Sequence, residues 1–453
     1  MGKNMKMFNL LEHVRGNSID SVVIWIFNID VEKQWNDSIS LVKDNREDIV
    51  VNHIEEIAFL LAKEQDYVIL RKQPSEFFLH MLSKKNFFIP HILCPEKEDE
   101  DKGISELILE DKSLLKVLSL LAKDRVVHFV PYGVSQQEEK IARLCNLNLV
   151  GGTSIEKKII NNKIFSRKTA QNLNYKMAEG IICHSVEEIE HAYNKLIKKS
   201  KHIVIKMACN SSGRGMWIIE NESEFKTAYL IIKRYLLKNP NIPWILEEWL
   251  EKRVDLNFQI YVSERGYVET FSVKEQILHG TVYVGSYLPP RISKGQYLQC
   301  LRCGEEIGQF LFRKGYTGVF GVDALITKQN VLIPIIEING RFTLSSYISF
   351  LEMRYPDKII YSFYKKVHLN DQFSYQRMIL ELSSKGILLD ETGIFVYVSA
   401  TADVKLAKGN CRLFCMVIAE TDDRIKELCN EFDSLCSKYT IITSRNPNEC
   451  DSN

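Results

Sequence analysis

The segment Gly318–Arg341, GVFGVDALITKQNVLIPIIEINGR, predicts two antiparallel strands joined by a tight turn. Glu337 and Asn339 are two residues apart, so their side chains point to the same face of one strand. Asp323 can come alongside them on the partner strand. Three oxygen-bearing side chains on one face suit Mg²⁺ or Mn²⁺ bound to a polyphosphate, although a polar, solvent-facing sheet surface explains the spacing equally well. The predicted elements are Gly318–Ile326, the turn Thr327–Asn330, and Val331–Ile338.

A lysine and a loop of small residues precede this segment. Lys206 ends the predicted strand Ile203–Lys206, and Asn210–Gly215 (NSSGRG) follows before another strand, Met216–Ile219. Small residues let backbone N–H groups approach phosphate oxygens, and the lysine adds a point charge. The loop is not a Walker loop, because GxxxxGK[ST] is absent and no helix follows. Alone it is a weak signal, since glycine-rich strand turns are common.

The segment Glu247–Leu250, EEWL, combines apolar bulk with two carboxylates at the end of a predicted strand. Such a segment can receive an adenine ring through backbone groups, with the carboxylates in reach of its amino group or a ribose. Taken alone, the pattern is more often part of the core and its rim.

Composition excludes several classes of protein. The 453 residues carry 59 basic and 58 acidic side chains, a net charge of +1, so no bulk attraction to nucleic acid or to an anionic membrane is expected. No apolar stretch approaches the ~20 residues that span a bilayer, and no signal peptide is visible. Eleven scattered cysteines favour reduced thiols and a cytoplasmic location. Cys300 and Cys303 lie in a predicted helix, where buried structural thiols are favoured over a zinc site.

The chain changes character along its length. Its first third alternates strand-like and helix-like segments, which predicts an open, mostly parallel α/β sheet; without GxGxxG, no dinucleotide site is expected. The middle third predicts α+β structure, and the last hundred residues mix helix and strand. We place domains at 1–158, 159–355 and 356–453. The segments of the first third are the strands Ser21–Phe27, Tyr67–Leu70, Phe87–Pro90, Val126–Tyr132 and Leu147–Val150, and the helices Ile54–Lys63 and Gln136–Cys145.

The order of these pieces, over about residues 160–350, resembles the ATP-grasp superfamily, to which D-alanine–D-alanine ligase, glutathione synthetase and biotin carboxylase belong. The resemblance implies two α+β subdomains that clamp ATP, with Mg²⁺ or Mn²⁺, and a small α+β C-terminal region that completes the ligase. It implies a nucleotide site of Lys163, Lys206, the loop residues Ser211, Ser212, Gly213, Arg214 and Gly215, the hinge residues Glu247, Glu248, Trp249 and Leu250, and Asp255 for the ribose. It implies Asp323, Glu337 and Asn339 as metal ligands.

One departure concerns the charge of the triphosphate. Gly321 stands two residues before Asp323, where D-alanine ligases carry an arginine, so that charge must be met elsewhere. Arg341 is similar to the arginine that faces the triphosphate or acyl phosphate in many members; Lys274 and Arg291 are the other candidates. His279, beside Gly280, is expected in a substrate loop, although a structural role for it is favoured.

The N-terminal third narrows the family. Val31–Trp35 after the first strand, and Pro131-Tyr-Gly before a helix, resemble the pre-ATP-grasp domain of a peptide ligase group, which includes the ligase of pheganomycin biosynthesis. The implied reaction is attack of an amino acid or peptide carboxylate on the γ-phosphate of ATP. The acyl phosphate then passes to an amine, in specialised biosynthesis.

Two alternatives stay open. In one, a ligase loads an amino acid onto a carrier-protein thiol; in the other, the chain is a non-catalytic ATP-binding module. The intact metal set Asp323, Glu337 and Asn339 disfavours the module, because a nucleotide sensor has less need of it. The expected partners are small amino acid or peptide substrates or, in the first alternative, a carrier protein; a homodimer is compatible with the sequence.

Overall fold

The computed structural model describes residues 8–16, 20–35, 45–208, 215–240 and 242–441. Within these ranges the chain forms three sheets with helices packed on them. The α-helices are α1 Leu10–Arg15, α2 Val31–Trp35, α3 Asn45–Asn52, α4 Glu76–Lys84, α5 Ile104–Glu110, α6 Lys112–Asp124, α7 Gln136–Cys145, α8 Ser154–Ile160, α9 Lys163–Asn172, α10 Val186–Leu196, α11 Glu222–Lys238, α12 Lys294–Phe312, α13 Leu344–Ile348, α14 Leu351–Arg354, α15 Tyr375–Ser384 and α16 Asp422–Ser437. None of the described helices is long and apolar enough to cross a membrane.

The first sheet is parallel, as predicted. Its order is β3-β2-β1-β4-β5, and each neighbouring pair runs in the same direction. The central strand is buried at every position, because helices cover both faces, and this accounts for its unbroken apolar sequence. The strands are β1 Val22–Ile26, β2 Tyr67–Ile69, β3 His91–Leu93, β4 Val127–Pro131 and β5 Asn148–Leu149.

One of the local predictions in this domain was wrong. The segment Phe87–Pro90 is not a strand; it follows the end of α4, where Phe87 donates its backbone N–H to the carbonyl of Leu82, and the strand begins at His91. The segment Ile54–Lys63 is helical as predicted, but it forms a 3₁₀ helix that spans Ile54–Leu60.

The remaining sheets are antiparallel. A four-stranded sheet has the order β6-β9-β7-β8, and an eight-stranded sheet has the order β14-β13-β10-β11-β12-β15-β17-β16. Their strands are β6 Gly180–Cys183, β7 Ile203–Met207, β8 Met216–Ile219, β9 Trp244–Glu248, β10 Lys252–Val262, β11 Val268–His279, β12 Val282–Leu288, β13 Gly318–Thr327, β14 Leu332–Asn339, β15 Ile359–His368, β16 Gly393–Val396 and β17 Asn410–Ala419. Together with the parallel sheet, this confirms the predicted fold class.

The C-terminal strands belong to the same sheet as the middle of the chain. Strand β12 pairs with β15 from Gly285–Phe363 to Leu288–Ile360, and β15 then pairs with β17 along ten positions, Ile359–Ala419 to His368–Asn410. The sheet is therefore continuous across residue 355. The domain boundaries at 158 and 355 stay predictions.

A close approach of α2 to the turn after β4 shapes the edge of the N-terminal domain. The Asn28 amide donates to the Gly133 carbonyl (2.9 Å) and accepts from the Gly133 N–H (3.3 Å), and the Trp35 indole donates to the carbonyl of Val134 (3.0 Å). A Cβ at Gly133 would lie 2.6 Å from the Trp35 ring and 2.8 Å from a Val31 methyl. Glycine at this position therefore lets α2 pack on the turn.

We expect Gly133→Ala to lower the free energy of unfolding by about 1–3 kcal/mol, and with it the unfolding midpoint. The indole is tied by its own hydrogen bond and Val31 is stiff at χ1, so neither can move aside cheaply. Urea and thermal unfolding of the two proteins measure the difference. Gly295→Ala in α12 is the matched control: nothing closer than 4.0 Å would meet its methyl group, so no loss is expected. Equal losses in both variants would contradict the packing argument.

Candidate active site

A cavity of about 290 Å³ lies between the four-stranded and eight-stranded sheets, and the N-terminal domain contributes Ile29, Glu32 and Tyr132 to its lining. Most residues that the sequence singled out line it. These are Lys163, Lys206, Gly215, Glu247, Glu248, Trp249, Leu250, Asp255, Asp323, Glu337, Asn339 and Arg341. The loop residues Ser211, Ser212, Gly213 and Arg214 lie outside the described residues.

Two carboxylates face each other at the floor of the cavity. Strands β13 and β14 pair so that Asp323 stands directly opposite Glu337, and Gly321 opposite Asn339. One Asp323 oxygen accepts hydrogen bonds from the amides of Asn257 (2.8 Å) and Gln276 (2.6 Å), and the other accepts from Asn339 (3.0 Å). Burial and then the charge of Glu337 raise the pKa of Asp323 to about 6, against the opposing effect of these hydrogen bonds.

This group fits a hard divalent cation. It offers two carboxylates and the amide of Asn339, which are oxygen ligands of the kind that Mg²⁺ and Mn²⁺ take, and it leaves the other positions to phosphate oxygens and water. Within the described ranges, no three His, Cys, Asp or Glu side chains converge on a metal position. A cation here would therefore be held jointly by the protein and a polyphosphate. It would neutralise negative charge on the phosphate oxygens.

Two lysines face the carboxylates from either side of the cavity. Lys163, at the start of α9, donates to Glu337 (2.7 Å), and Lys206, on β7, donates to Glu247 (2.6 Å). Glu247 also accepts from Arg167 (2.7 Å). Burial alone would raise the pKa of Glu247, but the two cations hold it below its ordinary value. Lys163 and Lys206 can therefore meet a polyphosphate from two sides without leaving Glu247 unpaired.

The segment after β9 forms the far wall. The Glu248 carboxylate accepts a hydrogen bond from the backbone N–H of Glu179 (2.8 Å), and the backbone N–H of Trp249 donates to the carbonyl of His202 (2.9 Å). Asp255 pairs with Lys252 at 2.6 Å and lines the cavity. Burial raises the pKa of Asp255, which Lys252 partly offsets. The wall thus presents backbone groups, apolar surface and the carboxylates of Glu248 and Asp255, which is what a nucleoside needs.

Arg341 connects this site to the N-terminal domain. Its guanidinium donates to Glu32 (2.8 Å) and lies 5.3 Å from the centre of the Tyr132 ring, and the Tyr132 hydroxyl donates to the same Glu32 oxygen (2.9 Å). Glu32 and Tyr132, which also line the cavity, were not among the site residues predicted from the sequence. Glu32 lies in the motif Val31–Trp35, and Tyr132 lies in the motif Pro131-Tyr-Gly. Their place in these motifs was the feature of the sequence that could have indicated a role in the site.

Two of the predicted triphosphate cations lie elsewhere. Lys274 is fully buried and donates to the Ser349 hydroxyl (2.6 Å), and burial lowers its pKa to about 7. Arg291 binds Glu275 and lies over the Tyr287 ring. Neither lines the cavity, whereas Arg341 does. His279 is exposed at the end of β11 and is also absent from the lining.

The structure also shows why no arginine can stand at position 321. A Cβ on Gly321 would lie 2.9 Å from Thr343 and 3.2 Å from the Gln259 amide. That amide donates to the hydroxyls of Thr343 (2.9 Å) and Ser345 (3.1 Å). The space that a longer side chain would need is therefore filled by a hydrogen-bonded network beneath the cavity.

Among the described residues, the CxxC pair Cys300 and Cys303 belongs to no group of three side chains that could hold a metal ion. Cys300 and Cys303 are both buried against the core side of α12. Burial raises the pKa of Cys300 to about 12, which suppresses the thiolate that binds zinc or reacts in redox chemistry. This supports the structural role expected from the sequence.

Two family models match the chain. The ATP-grasp domain matches residues 168–342, and the pre-ATP-grasp domain matches residues 55–147. A curated relative, the [butirosin acyl-carrier protein]–L-glutamate ligase of Niallia circulans, is 28% identical over 353 residues, which cover 76% of this chain and 77% of the relative.

Solved structures share the fold. The biotin carboxylase domain dimer of the 2-oxoglutarate carboxylase of Hydrogenobacter thermophilus, in complex with MgADP, ADP and bicarbonate, aligns with a TM-score of 0.56 at 14% identity, covering 94% of this chain and 91% of that one. The N5-carboxyaminoimidazole synthetase of Staphylococcus aureus with ADP aligns with a TM-score of 0.52 at 12% identity, covering 91% and 96%. The chain thus contains a pre-ATP-grasp domain followed by an ATP-grasp domain, and it is an ATP-dependent ligase.

Proposed function

We propose that this protein is a Mg²⁺- or Mn²⁺-dependent carboxylate–amine ligase that activates an amino acid or peptide carboxylate as an acyl phosphate and passes it to an amine. One observation carries the proposal. Opposed carboxylates, two lysines and one arginine converge on a single cavity beside a nucleoside-sized wall. That arrangement suits the transfer of a γ-phosphoryl group, which needs positioning and charge neutralisation rather than a protein nucleophile.

The described side chains divide the work between the two ends of the cavity. The wall at Glu247–Leu250 with Asp255 would take the nucleoside, while Lys163 and Lys206 would neutralise the phosphates. Asp323, Glu337 and Asn339 would hold the cation against the terminal phosphate. Arg341 would stabilise the charge that develops when the carboxylate attacks and when phosphate leaves. The position of the cavity between two sheets would limit the access of water, which would protect an acyl phosphate from hydrolysis.

The acceptor sets the second part of the proposal. The curated relative is named for ligating L-glutamate to an acyl-carrier protein, so L-glutamate is the first carboxylate to test and a carrier thiol is the rival acceptor. An amine acceptor is our main proposal. The feature that supports an amine acceptor is the lining that the N-terminal domain contributes at Ile29, Glu32 and Tyr132. With this lining, side chains can contact a small substrate on several of its faces.

The proposal extends to the setting of the protein. A cytoplasmic location is supported by the cysteines, since nine of them in the described residues are free thiols. A homodimer is proposed by analogy with the dimeric biotin carboxylase domain that shares the fold.

The products test the reaction class. We expect ADP and phosphate, because the lysines and the cation ligands would stabilise charge on the terminal phosphoryl group. The assay incubates the protein with ATP, Mg²⁺ and pooled amino acids, L-glutamate alone in one arm, with and without carrier protein, and separates the nucleotides. Accumulation of AMP would overturn the proposal. ADP formation that depends on the carrier protein would replace the amine with the thiol as acceptor.

We expect Lys206→Ala to abolish ADP formation and to weaken ATP binding roughly tenfold to hundredfold, because a charge-assisted contact is worth about 1.5–3 kcal/mol. The fold should persist, since Arg167 still pairs with Glu247. ADP release and calorimetric titration with ATP measure the two effects. Lys201→Ala, an exposed lysine just before the same strand, is the control. Wild-type ATP affinity in a folded Lys206→Ala protein would remove this lysine from the site.

We expect Glu337→Ala to abolish ADP formation by weakening the hold on the divalent cation, while the unfolding midpoint stays near that of the parent. Titration of Mn²⁺ by electron paramagnetic resonance, in the presence of ADP, reports the cation directly. Glu251→Ala removes an exposed carboxylate that pairs only loosely with Lys328 (3.3 Å) and should change neither measurement. Wild-type turnover in a folded Glu337→Ala protein would refute the metal assignment.

A further inference from the structure

We propose that Glu32 and Tyr132 are positioning residues for Arg341, so that the N-terminal domain completes the catalytic site of the ligase. This rests on the proposed function, since it assigns the two residues a part in the same reaction. Glu32 lies outside both matched family segments, and Tyr132 and Arg341 lie in different ones. The interaction therefore joins parts of the chain that the family models treat separately.

The side-chain contacts converge on one carboxylate oxygen. Arg341 and the Tyr132 hydroxyl both donate to the same oxygen of Glu32, at 2.8 Å and 2.9 Å. The Arg341 and Glu32 side chains are 10% and 13% exposed. At such burial an ion pair holds its geometry far better than a surface pair does, because solvent no longer competes for either partner.

The backbone is tied at the same point. The N–H of Phe342, the residue after Arg341, donates to the carbonyl of Tyr132 (3.0 Å). The N–H of Gly340, the residue before it, donates to the Asn161 side chain (2.9 Å). Arg341 is therefore held on both sides of its own Cα as well as at its guanidinium. One of these ties and both side-chain partners come from the first domain.

Glu32 is itself kept in place by the packing of α2. The helix follows Asn28, whose amide makes two hydrogen bonds to Gly133, and it ends at Trp35, whose indole binds the carbonyl of Val134. The turn that carries Tyr132 and the helix that carries Glu32 thus form one unit. The two N-terminal motifs would therefore act together to position Arg341.

The electrostatics explain why Arg341 needs such a restraint. Asp323 and Glu337 lie close enough to act on its charge, as Glu32 does. Without Glu32, the guanidinium would be drawn toward the two floor carboxylates and would compete there with the divalent cation. Glu32 balances that attraction. The Nε of Arg341 is buried without a hydrogen-bond partner among the described residues.

The test separates positioning from mere stability. Glu32→Gln should lower kcat for ADP formation with pooled amino acids roughly 100-fold, the cost of a misplacement near 1 Å, and change the KM for ATP far less. It should also weaken Mn²⁺ binding in the presence of ADP, because the released Arg341 occupies the cation position. Adding Arg341→Met to Glu32→Gln should restore Mn²⁺ binding. The double variant carries no unpaired buried charge, so it should fold even if the single variant is unstable.

Two further variants sharpen the result. Tyr132→Phe keeps the ring and removes one donor to Glu32, so a smaller loss of kcat than in Glu32→Gln is expected. Gln34→Ala on the same helix loses only a contact to Gln137 (2.9 Å) at the surface and should match the wild type. Wild-type kcat in Glu32→Gln, or Mn²⁺ binding that Arg341→Met fails to restore, would overturn the inference. AMP formation by the wild type would instead overturn the proposed function, and the Mn²⁺ measurements would still report on Glu32 and Arg341.

Discussion

Two carboxylates held opposite each other, Asp323 and Glu337, impose a repulsion that the surrounding groups are arranged to manage. Side-chain amides from neighbouring strands donate to Asp323, and Lys163 donates to Glu337. Burial and then the charge of Glu337 nevertheless raise the pKa of Asp323 to about 6, so these local partners only partly offset the cost of two charged carboxylates at this position. A divalent cation is the species that relieves this repulsion. The strand pairing that creates the repulsion therefore also creates the reason for the cation.

A network of neutral polar side chains lies beside the carboxylates. Gln259, Thr343 and Ser345 bind one another between the sheet and α13, and they fill the space over Gly321. A buried network of this kind is rigid when every member is satisfied. The network fixes the segment that follows β14, and Arg341 lies in that segment. Because this network leaves no space for a cationic side chain at position 321, Arg341 is the residue that can present a positive charge to the phosphates.

Local and ordered features could be predicted from the sequence. The pair β13 and β14 follows from two apolar runs joined by a polar turn, and the two-residue period of a strand places Glu337 and Asn339 on one face. The order of lysine, loop, hinge and carboxylates along the chain indicated the superfamily, because the ordered set is specific even though each motif alone is weak. The failures arise where distant packing decides. Phe87 caps the end of α4 instead of entering a strand, Lys274 packs under Ser349, and nothing local in Val31–Trp35 indicates that Glu32 meets Arg341.

The continuity of the eight-stranded sheet gives the C-terminal region a protective part. Strand β12 lies between β11 and β15, so without the last hundred residues it would become an edge with unpaired N–H and C=O groups along Gly285–Leu288. Exposed edges of that kind recruit other chains and aggregate. Strands β15, β17 and β16 move the edge away from the nucleotide site, to the short strand Gly393–Val396. The region thus shields the ligase fold from misassembly at the same sheet that carries the proposed cation ligands.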